Sequence, residues 1–224
     1  MTLRPLLFLL ALGIARAAVA QESACGCDDV QDMRNRLCEA QAANSEYRRH
    51  IANIIEQERQ TNKTVLLTEA NYKGLVQPCV QEAINRVTDA GARTASAETD
   101  NACNTTFKGK PTACMKELLT SHENVHVTAC QKVKVDNDGF FRELFGLFQN
   151  FRANQSLVDM LNEERAAYSV EIAHIRDQFD RLIRTSSCPG LPARQPGPER
   201  IYTIKPCPPP KPKPPQDESN CRVP

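Results

Sequence analysis

The segment His122-Glu123-Asn124-Val125-His126 holds two of the chain's four histidines. On a helix, positions four apart lie on one face a turn apart, so both imidazoles can reach a single metal ion. Glu123 is rotated by about 100° from His122 and can reach a water at that ion without ligating it. A metal held by imidazoles lowers the pKa of its water towards about 7, and a neighbouring carboxylate can take the proton as the water attacks a carbonyl. Leu118, Leu119, His122, His126, Ala129 and Val133 share one stripe of a helix expected from Thr112 to about Val133. That stripe turns both histidines inward. The competing reading is a hydrogen-bonded pair of core histidines with no metal.

A third ligand is available on a second expected helix, Gln155 to about Arg184. Its stripe runs Leu157, Leu161, Glu164, Tyr168, Glu171, Ile175, Phe179, Leu182. Carboxylates are rarely buried unless paired or bound to a metal, so Glu164 and Glu171 stand out. Glu164 is expected as the ligand and Glu171, two turns further on, behind it. Glu164 could instead pair with an arginine. Glu163 falls about 100° off the stripe and reads as solvent surface. Glu171-x-x-His174 is a single Glu-x-x-His element, whereas a di-iron bundle needs two copies and two further glutamates.

His122-Glu123-Asn124-Val125-His126, followed some forty residues later by Glu164-Arg165-Ala166-Ala167-Tyr168, resembles the gluzincin branch of zinc metallopeptidases. The resemblance spans residues 118–171. It implies one zinc ion held by His122, His126 and Glu164, with water in the fourth position and Glu123 as general base. The family pattern places a small residue three after the third ligand, matched by Ala167, and an acidic one at four, where Tyr168 stands. Tyr168 or Glu171 is then the replacement contact to a ligand histidine, and Tyr168 is a candidate donor to the oxyanion. The longer metzincin motif is absent, and no five-stranded substrate-binding sheet is visible upstream.

Other elements must hold this site. Val30, Met33, Leu37, Ala40, Asn44, Tyr47, Ile51 and Ile54, spaced alternately three and four, predict one long amphipathic helix begun at Asp28-Asp29. It either packs on its own chain or dimerises; the apolar segments nearby favour the first. A turn near Thr61-Asn62 leads to a second helix around Pro78, with Val80, Ala83, Ile84 and Val87 on its apolar face. Residues 89–110 read as a loop. Five of the eight phenylalanines (Phe140, Phe141, Phe145, Phe148, Phe151) form a stripe read as core. Asp136-Asn137-Asp138-Gly139 looks like part of a calcium loop, but Lys134 and Phe145 fall where ligands are needed, so it reads as a turn. Asn62, Asn104 and Asn154 begin glycosylation acceptors that matter only in a eukaryotic secretory route.

Composition bounds the compartment and the partners. Arg4, an apolar run Leu6–Ile14 and Ala18-Val19-Ala20 make residues 1–20 a secretory signal, cleaved before Gln21 and too short to span a bilayer. Without Arg4 and Arg16, 28 basic residues become 26 against 27 acidic ones. Near neutrality excludes a strongly basic nucleic-acid reader. Ten cysteines point to an oxidising compartment, and an even count suits full pairing. Cys114 and Cys130 lie about 24 Å apart on one helix and cannot bond each other; Cys103 is an attractive partner for Cys114. Twelve of 15 prolines follow residue 188, so 188–224 reads as an extended proline-rich tail, with Cys207 and Cys221 bridged to each other or back to the core.

These readings combine into a mainly α, disulfide-linked helical domain (21–187) with the His122/Glu123/His126 helix packed on a glutamate-bearing helix. The function expected is a secreted or periplasmic zinc-dependent hydrolase of peptides or proteins, with a zinc-bound water and Glu123 as base. The alternative is a non-catalytic exported helical binding or structural protein of the cell envelope, its metal site structural or absent. Substrate identity and oligomeric state are not legible.

Overall fold

The computed structural model describes residues 24–68, 70–88, 95–100, 102–137 and 156–185, with 188, 189, 191 and 207. The signal segment, the phenylalanine stripe, the polyproline run, Asn154 and Cys221 lie outside the described residues.

After a short 3-10 turn, Cys27–Asp29, helix α1 runs Val30–Thr61 and ends at Asn62 in the left-handed region (φ 53°). A π-helical turn, Ala70–Val76, leads into α2, Gln77–Val87, with Pro78 in its first turn where a missing N–H costs nothing. The hairpin β1 (Ala95–Thr99) and β2 (Thr105–Gly109) follows, then α3 (Ala113–Asn137) and α4 (Leu157–Thr185). The chain is mainly helical and carries disulfides, as its composition implied.

The α1 seam packs against the chain's own α4. Val30, Met33 and Leu37 meet Ile175, Phe179 and Leu182, together with Cys114, Met115 and Leu118 of α3. At the other end, Ala43, Tyr47, Ile51 and Ile54 meet Leu157, Met160 and Leu161 of α4 and Val80 and Ile84 of α2. The pairing of early with late residues makes α1 and α4 antiparallel. Between these two apolar clusters lies a polar layer. Asn44, the one polar residue of the seam, spends its side-chain amide there, donating to Arg165 O and Ser169 Oγ, both at 2.9 Å.

Three expectations need correction. Residues 95–109 are a two-stranded antiparallel hairpin, with Thr99 opposite Thr105 and Ala95 opposite Gly109. The Ala- and Ser-rich first strand has little β propensity of its own, and cross-strand pairing supplies what its sequence lacks. Cys103 bonds Cys130, and Cys114 bonds Cys25. Pro111 joins β2 to the start of α3, so the hairpin folds back along the helix. Its tip, with Cys103, is thereby carried past Cys114 to the far half of α3. Of the expected turn Asp136-Asn137-Asp138-Gly139, Asp136 and Asn137 belong to the end of α3, and Asp138 and Gly139 lie outside the described residues.

Cys27–Cys188 and Cys38–Cys207 staple the chain beyond α4 to the 3-10 turn before α1 and to the first half of α1, so Cys207 bridges back to the core. No described cysteine is free. No described helix is long and apolar enough to cross a membrane.

Candidate metal centre

The polar layer is the site. His122 and His126 sit on α3 directly after the apolar pair Leu118 and Leu119, and both are buried, 6% and 4% exposed. Their Nε2 atoms lie 3.4 Å apart. Each Nδ1 is taken by a carboxylate of α4: His122 by Glu171 Oε2 at 3.0 Å, His126 by Glu163 Oε1 at 2.6 Å. An ionised carboxylate can only accept, so each Nδ1 carries a proton, and each Nε2 presents a lone pair whenever its ring is neutral. Two lone pairs facing each other at 3.4 Å repel unless a shared cation, or a proton on one of the two nitrogens, stands between them. Glu164 Oε2 is 3.7 Å from His126 Nε2, and donor atoms of His122, His126 and Glu164 all fall within 4.8 Å of one another. Two neutral imidazoles and a carboxylate, with the outer ring nitrogens fixed by acceptors, suit zinc.

Glu171 is fully buried yet ionised. Burial works against its charge, but the Arg36 guanidinium and the His122 hydrogen bond outweigh it and hold its pKa below the usual carboxylate range. Arg36, from α1, grips both oxygens of Glu171 and reaches Glu39 Oε2 at 3.2 Å. His126 is affected in the opposite sense. Burial lowers its pKa, while Glu163 and Glu164 together raise it more, so the net shift is upward. Tyr168 lies edge-on to His122, ring centroids 4.4 Å apart. Burial, reinforced by Glu164 and Glu171, pushes its phenol well above the ordinary value despite Arg36, so it keeps its proton. Its hydroxyl has no hydrogen-bond partner among the described residues.

Glu123 is 4% exposed and accepts a hydrogen bond from Thr99 Oγ1 at 2.7 Å. It lines, with both histidines, Glu164 and Tyr168, a cleft of about 640 Å³. The walls are α1 (Arg36, Glu39), α2 (Gln77, Gln81) and strand β1 (Ser96–Thr99). No family model, curated protein or solved structure matches the chain. The chemistry has to be read from these atoms.

The structure thus brings together His122, Glu123, His126, Glu164, Tyr168 and Glu171. One expectation fails: Glu163 does not face solvent but holds His126. Met160 and Ala167, three before and four after it, are both buried. The buried face of α4 is therefore wide enough to take 163 and 164 side by side. Those two apolar neighbours were the signal for Glu163. For Arg36 it was position, four before Ala40 and three after Met33 of the seam. Thr99 gave no signal, because its segment read as loop. Glu171 and His174 do not act together; His174 Nε2 lies 3.0 Å from Glu117 Oε1 instead. Glu46, His50 and Cys79 also cluster, but Cys79 is disulfide-bonded and offers no thiolate.

Proposed function

We propose that this chain is an exported zinc-dependent hydrolase, a peptidase of the gluzincin kind, cleaving peptide or protein substrates outside the cytoplasm. The supporting observation is the pair of Nε2 atoms converging at 3.4 Å on one wall of an open cleft. Structural zinc sites are closed, whereas catalytic ones keep a position open to solvent. His122, His126 and Glu164 would hold the ion. Bound zinc supplies Lewis acidity, polarising a substrate carbonyl and making a water acidic enough to ionise near neutral pH.

The chain's own residues do the rest. Glu171 and Glu163 fix the ring orientation of the two histidines. Glu123, one residue along the helix from His122, removes the proton from the attacking water and later delivers it to the leaving amine. Tyr168 keeps its proton and has a hydroxyl with no described partner, so it can donate to the oxyanion as charge develops there. The disulfides and the lack of a membrane-spanning helix among the described residues are compatible with an extracellular or periplasmic site of action, as is the signal-like segment 1–20. The second reading, a non-catalytic envelope protein with a structural ion, predicts metal without turnover.

Glu123→Gln separates the two. The amide cannot take a proton, so the variant should hold about one zinc per chain and lose at least roughly 100-fold in hydrolysis. His122→Ala and His126→Ala should lose the zinc itself, measured by elemental analysis of untagged protein. A wild type that takes up no zinc ends this reading, and one that binds zinc but cleaves no peptide leaves the structural alternative.

A further inference from the structure

Strand β1 ends at Thr99, whose hydroxyl donates to Oε2 of Glu123 at 2.7 Å. Among the described residues no other group donates to that carboxylate. A glutamate carboxylate with no fixed partner turns about its last torsion, where the preference is broad. A donor on one oxygen fixes the plane of the group and leaves the other oxygen for proton transfer. Thr99 is itself firmly held. It pairs with Thr105 across the hairpin, and the turn that follows is closed by Asp100. Asp100 Oδ1 accepts from Ala102 N and Asn104 N, both at 2.8 Å, and Cys103 N donates to Asp100 O at 2.9 Å. Cys103 then bonds Cys130, one turn beyond His126 on the helix that carries Glu123. Hydroxyl and carboxylate are thus mounted on a single covalent frame.

We propose that Thr99 is a positioning residue for Glu123, holding the carboxylate at the orientation in which it works as general base. This rests on the hydrolase reading for its catalytic consequence, though not for the contact. Valine has the shape and β propensity of threonine without the hydroxyl. Thr99→Val therefore removes the donor and spares the hairpin, while Thr99→Ser restores the donor.

The experiment uses the full oxidised protein, labelled with ¹³C at the glutamate side-chain carboxyl. The Glu123 resonance, assigned with Glu123→Gln, should move in metal-free Thr99→Val and return in Thr99→Ser. Zinc content should be the same in all three proteins. With a randomised quenched-fluorescence peptide library, kcat should fall about tenfold in Thr99→Val with KM little changed, and recover in Thr99→Ser. An unmoved Glu123 resonance in Thr99→Val would overturn the proposal, as would a Thr99→Val enzyme as fast as wild type or faster. A wild type without zinc or turnover would end the hydrolase reading alone, because the resonance is read without metal and still decides whether Thr99 holds Glu123.

Discussion

His122 and His126 each give Nδ1 to a carboxylate of α4, and this decides which substitutions matter. Glu164 offers an oxygen to the ion position, so Glu164→Ala should abolish tight zinc binding. Glu163 and Glu171 act through the rings, and loss of such an orienting partner typically weakens a metal about 10–100-fold. Glu163→Ala should fall in that range, measured by competition with a chelator; an unchanged affinity would mean the 2.6 Å contact does not orient His126. Glu171→Ala should be worse for folding, because buried Arg36 loses its two-oxygen partner and keeps only the contact to Glu39. The site also has a pH signature. His126 has a raised folded pKa, so its proton stabilises the metal-free protein below the ordinary histidine value, and that contribution is lost as pH rises through the folded value. Zinc needs the lone pair that this proton occupies. Its affinity should therefore drop as pH falls below the raised value. Calorimetry in buffers of different ionisation enthalpy should show protons released on binding, increasingly so towards acid.

The hairpin is the element least supported by burial. Residues 106–109 of β2 are exposed, and the hairpin is tied to α3 by links that include Cys103–Cys130 and the Thr99–Glu123 hydrogen bond. A bridge closing 27 residues is worth roughly 3–4 kcal/mol by loop entropy. That stabilisation acts on the hairpin, which can open while the three long helices stay packed. A Cys103→Ser/Cys130→Ser double variant should therefore show fast amide exchange over residues 95–109, with α1 and α4 still protected. Equal loss of protection in α1 and α4 would show that the hairpin is part of the global folding unit. The long helices stand on better ground, since α1 and α4 share both apolar clusters.

For the whole molecule, the disulfides carry weight that the core alone does not. Cys27–Cys188 and Cys38–Cys207 span 161 and 169 residues, and loop entropy makes each worth about 5 kcal/mol. Together they rival the ~5–15 kcal/mol net stability of a typical domain. The layer between the two apolar clusters adds cost, because Glu171, Glu123 and both histidines are buried there. Reduction with a thiol at neutral pH should therefore abolish near-ultraviolet circular dichroism and zinc binding together. A reduced protein that keeps both would show that packing alone suffices.

Periodicity and residue type determined the long helices, because each buries one continuous apolar stripe whose spacing is visible along the chain. The same logic turned His122 and His126 inward and placed Glu164, Tyr168 and Glu171 on the facing helix. The cysteine count was legible as pairing, which holds for every described cysteine, though not who pairs with whom. What the chain could not show is whatever depends on two segments meeting. Glu163 looked external because a stripe drawn as a line hides how wide the buried face of α4 becomes between α1 and α3. Cys103 found Cys130 because the hairpin folds back along α3, a direction set by cross-strand hydrogen bonds rather than by any apolar pattern. Arg36 on Glu171 and Thr99 on Glu123 join residues 135 and 24 positions apart. Such contacts are chosen by the packing of whole elements, and only the tertiary structure decides them.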